Sequence, residues 1–366
     1  MKKTIGSIIL LTLIGLVFIF YSGLGSRPDS ISKARFVTSK QFNKLIGKFE
    51  NRKKEVVVEM RKVKLEWETM KDWLFEDDGR VPPKKISEVK PDLTEFLKPS
   101  DDLKVIWFGH STFLLNMDRK IILVDPVFSA SASPFSFLVK RFQKPVLELH
   151  ELPNIDYILI SHDHYDHLDS SSIKYFADKK VKFLTPLGVG SHLVGWGVDR
   201  SKVIESDWWE EVGFGSISFT ATPAQHFSGR DGFHENETLW ASWVIKSDHH
   251  NIYFSGDSGY DSHFKEIGDR LGPFDIAFLE NGQYNKKWPN VHMFPSEAIK
   301  AFKDLKAKNL FPVHWGMFQL ALHSWKDPIE KISKLADEQG IALIAPKFGE
   351  IVNLGKYKEV EKWWSF

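Results

Sequence analysis

Three histidines and an aspartate stand within six residues, His162-x-His164-x-Asp166-His167, directly after the apolar run Tyr157 to Ile160. No other stretch restricts the fold as tightly. An extended backbone sends side chains at i and i+2 to the same side, while positions i+4 and i+5 swing away as the chain turns into a helix. The strand must therefore end where nitrogen and oxygen donors face a shared hollow, an arrangement suited to one or two cations. The alternative is a histidine-rich surface loop. With 14 His among 366 residues, such a four-residue set arises by chance in about one chain in a thousand.

Composition narrows the donors further. The chain has no Cys, which excludes a disulfide framework, thiolate zinc sites and a cysteine nucleophile, so any metal is held by imidazole and carboxylate. It also lacks a Gly-x-Ser-x-Gly elbow, so a serine nucleophile of that type is not expected. Lys and Arg number 49 against 48 Asp and Glu, a net charge of +1, and nucleic acid, which needs a basic face, is not an expected partner.

Three further residues end strand-like runs. His226 follows Thr222-Pro223-Ala224-Gln225, Asp257 lies in Ser255-Gly256-Asp257-Ser258-Gly259, and His314 follows Leu310 to Val313. Alone each reads as structural; together they read as ligands of a two-cation site. The chain also resembles itself. A strand, Gly109-His110, a hairpin of Thr112 to Leu115 and Ile121 to Val124, then Asp125, is echoed by Ser216 to Thr220, Gln225-His226, a hairpin of Thr238 to Lys246 and Ile252 to Phe254, then Asp257. Two such sheets facing each other would share a site along one rim, although hairpins in general look alike.

From Lys104 onward, short Val, Ile and Phe runs bounded by Gly, Asp and Pro alternate with helical stretches, the pattern of a mixed α/β domain. Residues 101–366 are read as that domain, 27–100 as a helical and extended arm, and 1–26 as a membrane anchor or signal segment. In the arm, Phe42, Leu45, Ile46, Phe49, Val56, Met60, Val63 and Leu65 fall at helix-like spacing. Pro82, Pro83, Pro91 and Pro99 then impose an extended run. Thr4 to Ser26 is uncharged; as a helix it would extend about 34 Å, enough to cross a hydrocarbon core of about 30 Å. An uncleaved single-pass anchor is the reading, a cleaved signal peptide the alternative. The Lys2-Lys3 leader places the amino terminus inside and the catalytic domain on the non-cytoplasmic side, against competing Arg27, Lys33, Arg35, Lys40 and Lys44.

Taken as a set, His162, His164, Asp166, His167, His226, Asp257 and His314 resemble the metallo-β-lactamase-fold hydrolases over roughly Lys104 to Leu354. That resemblance implies a four-layer αββα sandwich with metals at the rim of two sheets. It implies that His162, His164 and His226 hold one zinc, that Asp166, His167 and His314 hold the second, and that Asp257 bridges them. Within the superfamily the chain resembles the N-acyl-phosphatidylethanolamine-hydrolysing phospholipase D group, and more distantly the ascorbate-6-phosphate lactonase-like proteins. The matching stretches include Trp107 to Thr112, Asp125 to Phe128, Glu237 to Trp243 and His314 to Phe318, and His292 matches an active-site histidine of that group. Where that group has an Ile-Gly-Ala-Tyr stretch, this chain reads Glu280-Asn281-Gly282-Gln283-Tyr284-Asn285, which bears on substrate specificity.

The function implied is a membrane-anchored, zinc-dependent phosphodiesterase of phospholipase D type. It would hydrolyse N-acyl-phosphatidylethanolamine to phosphatidic acid and an N-acylethanolamine by metal-activated hydroxide attack, with Asp257 and His292 as catalytic groups. His292 could instead cap a helix from Pro295 to Leu305. Asp125 fits a supporting role behind a ligand imidazole, and His110 fits that or a structural role. Zinc suits imidazoles and carboxylates, with iron and manganese as other candidates. Trp208, Trp209, Phe227, Phe233, Trp240 and Trp243 are either cleft or core aromatics, and Trp363 and Trp364 either dip into a bilayer or dock on the domain. One alternative is a lactonase or other metal-dependent hydrolase of small soluble substrates; another is a non-catalytic, metal-stabilised membrane scaffold.

Overall fold

The computed structural model describes residues 23–54, 56, 71, 79–357 and 362–365. Two seven-stranded sheets dominate it, with the same pairing pattern. The first runs β16 (Ile351–Asn353), β3 (Lys104–Trp107), β4 (Phe113–Met117), β5 (Lys120–Val124), β6 (Tyr157–Leu159), β7 (Lys182–Pro186) and β8 (Val203–Ser206). The second runs β9 (Glu211–Phe214), β10 (Ile217–Thr222), β11 (Ser242–Lys246), β12 (Asn251–Phe254), β13 (Ile276–Glu280), β14 (Asn309–Val313) and β15 (Ala342–Leu343). In each, three antiparallel pairings are followed by three parallel ones, so β3, β4 and β5 occupy the same topological places as β10, β11 and β12. The internal resemblance read from the sequence is thus present in the pairing of both sheets.

The inner strands are buried on both faces, as strands of covered sheets must be, while the edge strands β9 and β15 are partly exposed. Along β3, Val105 and Trp107 enter one core while Ile106 enters another. The first core lies between the sheets: Phe113 stacks on Phe278 at 4.3 Å and meets Phe254 at 5.3 Å, and Trp107 meets Phe311 at 6.1 Å. Each such ring, fully withdrawn from water, stabilises the fold by roughly 1.5–3 kcal/mol. It continues through the second sheet to α5 (His263–Arg270), α6 (Pro295–Asp304) and α7 (Asp327–Gln339). The other core joins the first sheet to α3 (Ser170–Phe176) and α4 (Gly190–Gly195) through Ile173, Phe176 and Leu193. Helix, sheet, sheet, helix is a four-layer αββα sandwich.

The arm departs from its expected form. Phe42 to Phe49 is a hairpin, β1 (Phe42–Asn43) against β2 (Lys48–Phe49), and the helix lies earlier, α1 (Ser30–Phe36) with Asp29 as its cap. The reason is local: Asn43 Oδ1 accepts from Leu45 N–H, Gly47 N–H donates to Asn43 O, and Gly47 sits at φ +68°. Such a turn reverses the chain, and the helix-like spacing was coincidence. Leu45, at 96% exposure, and Ile46 face solvent, while Phe42 and Phe49 pair and pack on Phe36. Met60, Val63 and Leu65 lie outside the described residues. Within the proline-rich run, a short helix α2 (Leu93–Leu97) forms where Asp92 accepts from Thr94 and Glu95 N–H groups.

Among the described residues no helix is long and apolar enough to cross a membrane. The segment read as an anchor, 1–26, lies outside them up to residue 22. Trp363 and Trp364 dock rather than dangle: both are buried beside Trp315, and Trp363 Nε1 donates to Ala345 O.

Candidate metal centre

Loops at the carboxyl ends of strands from both sheets carry the candidate donors. His162, His164, Asp166 and His167 lie between β6 and α3, whose amino end Asp169 caps through Ser171 and Ser172. His226 follows β10, Asp257 follows β12 and His314 immediately follows β14. All seven residues converge.

With His110 they fall into two groups of four whose donor atoms lie within 4.8 Å of one another: His162, His164, His226 and Asp257; and His110, Asp166, His167 and His314. His162 Nε2 and His164 Nδ1 are 2.8 Å apart, and His226 Nε2 is 3.2 Å from the same His164 nitrogen. Asp257 stands between the groups. Its Oδ1 is 3.1 Å from both His167 Nε2 and His314 Nδ1, and its Oδ2 is 3.6 Å from His226 Nε2 and 3.8 Å from His162 Nε2. A third set joins Asp257 and His314 to His292, whose ring is 5.2 Å from those of His226 and His314.

The donor chemistry fits cations. Burial drives the pKa values of His162, His226 and His314 well below the usual range, and His164 to about 4. Neutral imidazoles keep a lone pair for a metal. His167 differs: burial depresses it, but Asp257, Asp166 and Asp125 together outweigh burial and hold it well above the usual range. Among the described residues His167 Nε2 and Asp257 Oδ1 are buried without a hydrogen-bond partner. Buried and 3.1 Å apart without a well-formed hydrogen bond, the two atoms are placed to share a cation.

The supporting residues are as ordered as the donors. Asp125 Oδ2 is 2.7 Å from His167 Nδ1 and accepts from Ser161 Oγ at 2.6 Å, while Oδ1 accepts the Ser161 N–H at 2.7 Å. This fixes His167 with Nε2 turned to the hollow. His110 Nε2 is 2.8 Å from Asp166 Oδ2, and its ring packs on that of His314 at 4.1 Å, tilted by 46°. His110, Asp125 and His314 hold φ of +53°, +38° and +67°, conformations that cost of order 1–3 kcal/mol each and persist where surroundings over-determine them. His292 does not cap α6; the Phe294 N–H that opens the helix donates to Glu297.

Several site residues escaped the sequence reading. Glu280, the last residue of β13, is fully buried, with Oε2 3.6 Å from His292 Nδ1. Its signal was available, a lone carboxylate closing the apolar run Ile276 to Leu279. Arg230 donates to Asp163 O and, at 3.0 Å, to Leu168 O, bracing the ligand loop while stacking on Tyr165 at 3.9 Å. Two chain crossings seal the rim. A Cβ on Gly282 would lie 1.5 Å from His314 O, and one on Gly259 would lie 1.9 Å from Asn290 O. Of the aromatics, Trp240 and Trp243 are core, Phe227 packs on His164 and His226 at 4.6 and 4.7 Å, and Phe233 is 84% exposed.

Residues 120–315 match the family described as the beta-lactamase superfamily domain. The chain belongs to the metallo-β-lactamase superfamily. It is 41% identical over 267 residues to an uncharacterized protein of Mycobacterium tuberculosis, covering 72% of each chain. It is 34% identical over 245 residues to N-acyl-phosphatidylethanolamine-hydrolyzing phospholipase D 1 of Caenorhabditis elegans, covering 63% of this chain and 69% of that one. A metallo hydrolase from Ignicoccus hospitalis shares the fold, with TM-score 0.52 at 21% identity over 69% of this chain and 97% of its own. This metallo-β-lactamase-fold protein is a metal-dependent hydrolase.

Proposed function

We propose that this hydrolase is a phosphodiesterase of phospholipase D type that cleaves N-acyl-phosphatidylethanolamine to phosphatidic acid and an N-acylethanolamine with two zinc ions. The observation that carries the proposal is the placement of Asp257, one oxygen toward each donor group. His162, His164 and His226 would hold one ion and Asp166, His167 and His314 the other, with Asp257 in reach of both groups. Three imidazoles on one side, and two with a carboxylate on the other, suit zinc over harder cations. When bound, two such ions acidify a shared water from a pKa of about 15.7 towards 7 and neutralise charge on phosphoryl oxygens.

The chain's own groups do the rest. Asp257 orients the attacking water between the ion sites. His292, on the same rim, has the Glu280 carboxylate 3.6 Å from its Nδ1, a charge that favours its protonated form and suits it to protonate the departing alkoxide. Phe227, against two of the imidazoles, is an apolar wall for the lipid. Residues 101–366 form the catalytic unit, 27–100 an arm, and 1–26 a single-pass anchor that keeps the enzyme at its substrate's surface with the catalytic unit on the non-cytoplasmic side.

Detergent-solubilised protein with measured zinc content, assayed against N-acyl-phosphatidylethanolamine and a panel of lactones, tests the reading. Release of N-acylethanolamine supports it. Lactone turnover without lipid turnover at full zinc content makes it a hydrolase of small substrates. Turnover that His314→Ala leaves unchanged would not arise at this centre and would make it a metal-stabilised scaffold.

A further inference from the structure

The residue that best connects the arm to the metal centre is Asn51. It lies outside the family-matched region, and its side chain is 4% exposed. Both ends of its amide serve one partner: Nδ2 donates to His226 O at 2.6 Å, and Oδ1 accepts the His226 N–H at 3.0 Å. Strand β10 ends at Thr222, so His226 lacks a ladder partner for its backbone, and Asn51 supplies both missing bonds from a segment distant in sequence.

A third bond completes the hold. His226 Nδ1 lies 3.1 Å from Val291 O, which can only accept, so Nδ1 carries the proton and Nε2 keeps the lone pair. That lone pair faces His164 Nδ1 and Asp257 Oδ2. Asn51 fixes where the residue sits; Val291 fixes how its ring rolls.

Asn51 is itself pinned from both sides. The Phe49 N–H donates to Asn236 O at 2.8 Å, and the Phe49 ring is buried against Phe36 and Phe42. On the other side, Lys53 Nζ is 2.8 Å from Asp261, Arg52 is 3.9 Å from the same carboxylate, and Arg52 also pairs with Glu266 at 2.8 Å. Asp261 belongs to the loop that carries Asp257 between β12 and α5. The arm therefore enters as a wedge between two loops that bear donors of the same cation site.

We propose that Asn51 is a positioning residue for His226, so that the arm is an integral part of the cation site formed by His162, His164, His226 and Asp257. This rests on the reading of His226 as a ligand. Donor sets work only when held to within about half an ångström, and outer partners of ligating histidines typically govern affinity 10–100-fold. A merely structural Asn51 would alter the melting temperature and leave cation binding alone.

The test uses full-length protein, stripped by chelator and titrated with cobalt(II), read by its visible absorption, with melting of the metal-free protein measured in parallel. Asn51→Ala is expected to weaken one of two cobalt ions by about 10–100-fold and to alter that ion's absorption band, leaving the other within twofold. Asn51→Asp keeps the size and the acceptor for the His226 N–H but sets a carboxylate against the His226 carbonyl, and serves if the alanine variant does not fold. Two cobalt ions bound as in wild type by either folded variant overturns the proposal. His226→Ala separates the premises: if it retains both ions, the ligand reading itself falls, whereas loss of one ion there with normal binding in the Asn51 variants sinks the positioning role alone.

Discussion

The two sheets give the same slots to different work. His110 follows β3 and Asp125 follows β5; their counterparts in the second sheet, His226 after β10 and Asp257 after β12, occupy the matching places. Yet Asp257 points both oxygens at the two donor groups, while Asp125 is spent on His167 and Ser161. His226 aims Nε2 at His164, whereas His110 binds Asp166. Backbone conformation marks the divide: His110 and Asp125 take positive φ, and neither His226 nor Asp257 is among the positive-φ residues. A repeated scaffold thus sets a His and an Asp at each rim position, and the two halves engage them with different partners.

Substitutions at these paired positions can break that comparison. The largest effect is expected from Asp257→Ala, which removes a carboxylate in reach of both groups; bound metal should fall at both sites and turnover should drop by more than the roughly 100-fold that outer partners cost. Elemental analysis showing two ions per chain in an active variant would erase the distinction. Its counterpart Asp125→Asn should keep one ion and weaken the other about 10–100-fold, because an amide cannot accept from both Ser161 groups and the His167 N–H together. Chelator competition measures both affinities. His110→Ala should cost about tenfold or less at the same site, by freeing Asp166; outright loss of an ion would instead make His110 a ligand and restore the symmetry of the halves.

The smallest effect probes the loop beyond Asp257. Burial works against the Asp261 carboxylate, but Lys53 and the Ser262 N–H outweigh it and hold its pKa below the ordinary value. A depressed folded pKa contributes stability that is full above the unfolded value of about 3.9 and is lost as pH falls through the folded one. In urea melts of the metal-free protein, Asp261→Asn should therefore cost no more than about 1 kcal/mol near neutrality, and the gap to wild type should close in acid. A gap that widens in acid would contradict the sign.

The legible part of this molecule was what short-range sequence encodes. The run Ser161 to Asp169 carries its donors on contiguous backbone, and the apolar runs before Asp257 and His314 end in β12 and β14. The pairing of His110 with His226 and of Asp125 with Asp257 was visible because two hairpins repeat. What failed or was missed depended on contacts that spacing does not record. Phe42 to Phe49 mimics a helical stripe, yet the Asn43-to-Gly47 turn pairs its rings across a hairpin. Asn51 and Arg230 look like any surface polar residue until the chain folds and their amide and guanidinium meet backbone groups far away in sequence.

The glycine at 282 has a consequence for how such an enzyme changes its taste in substrates. Since His314's carbonyl occupies the space that any side chain there would need, mutation cannot remodel the floor of the crevice without dislodging the histidine above it. Changes of substrate must be sought away from this crossing, at side chains such as Phe227 that pack on the donors without carrying their backbone.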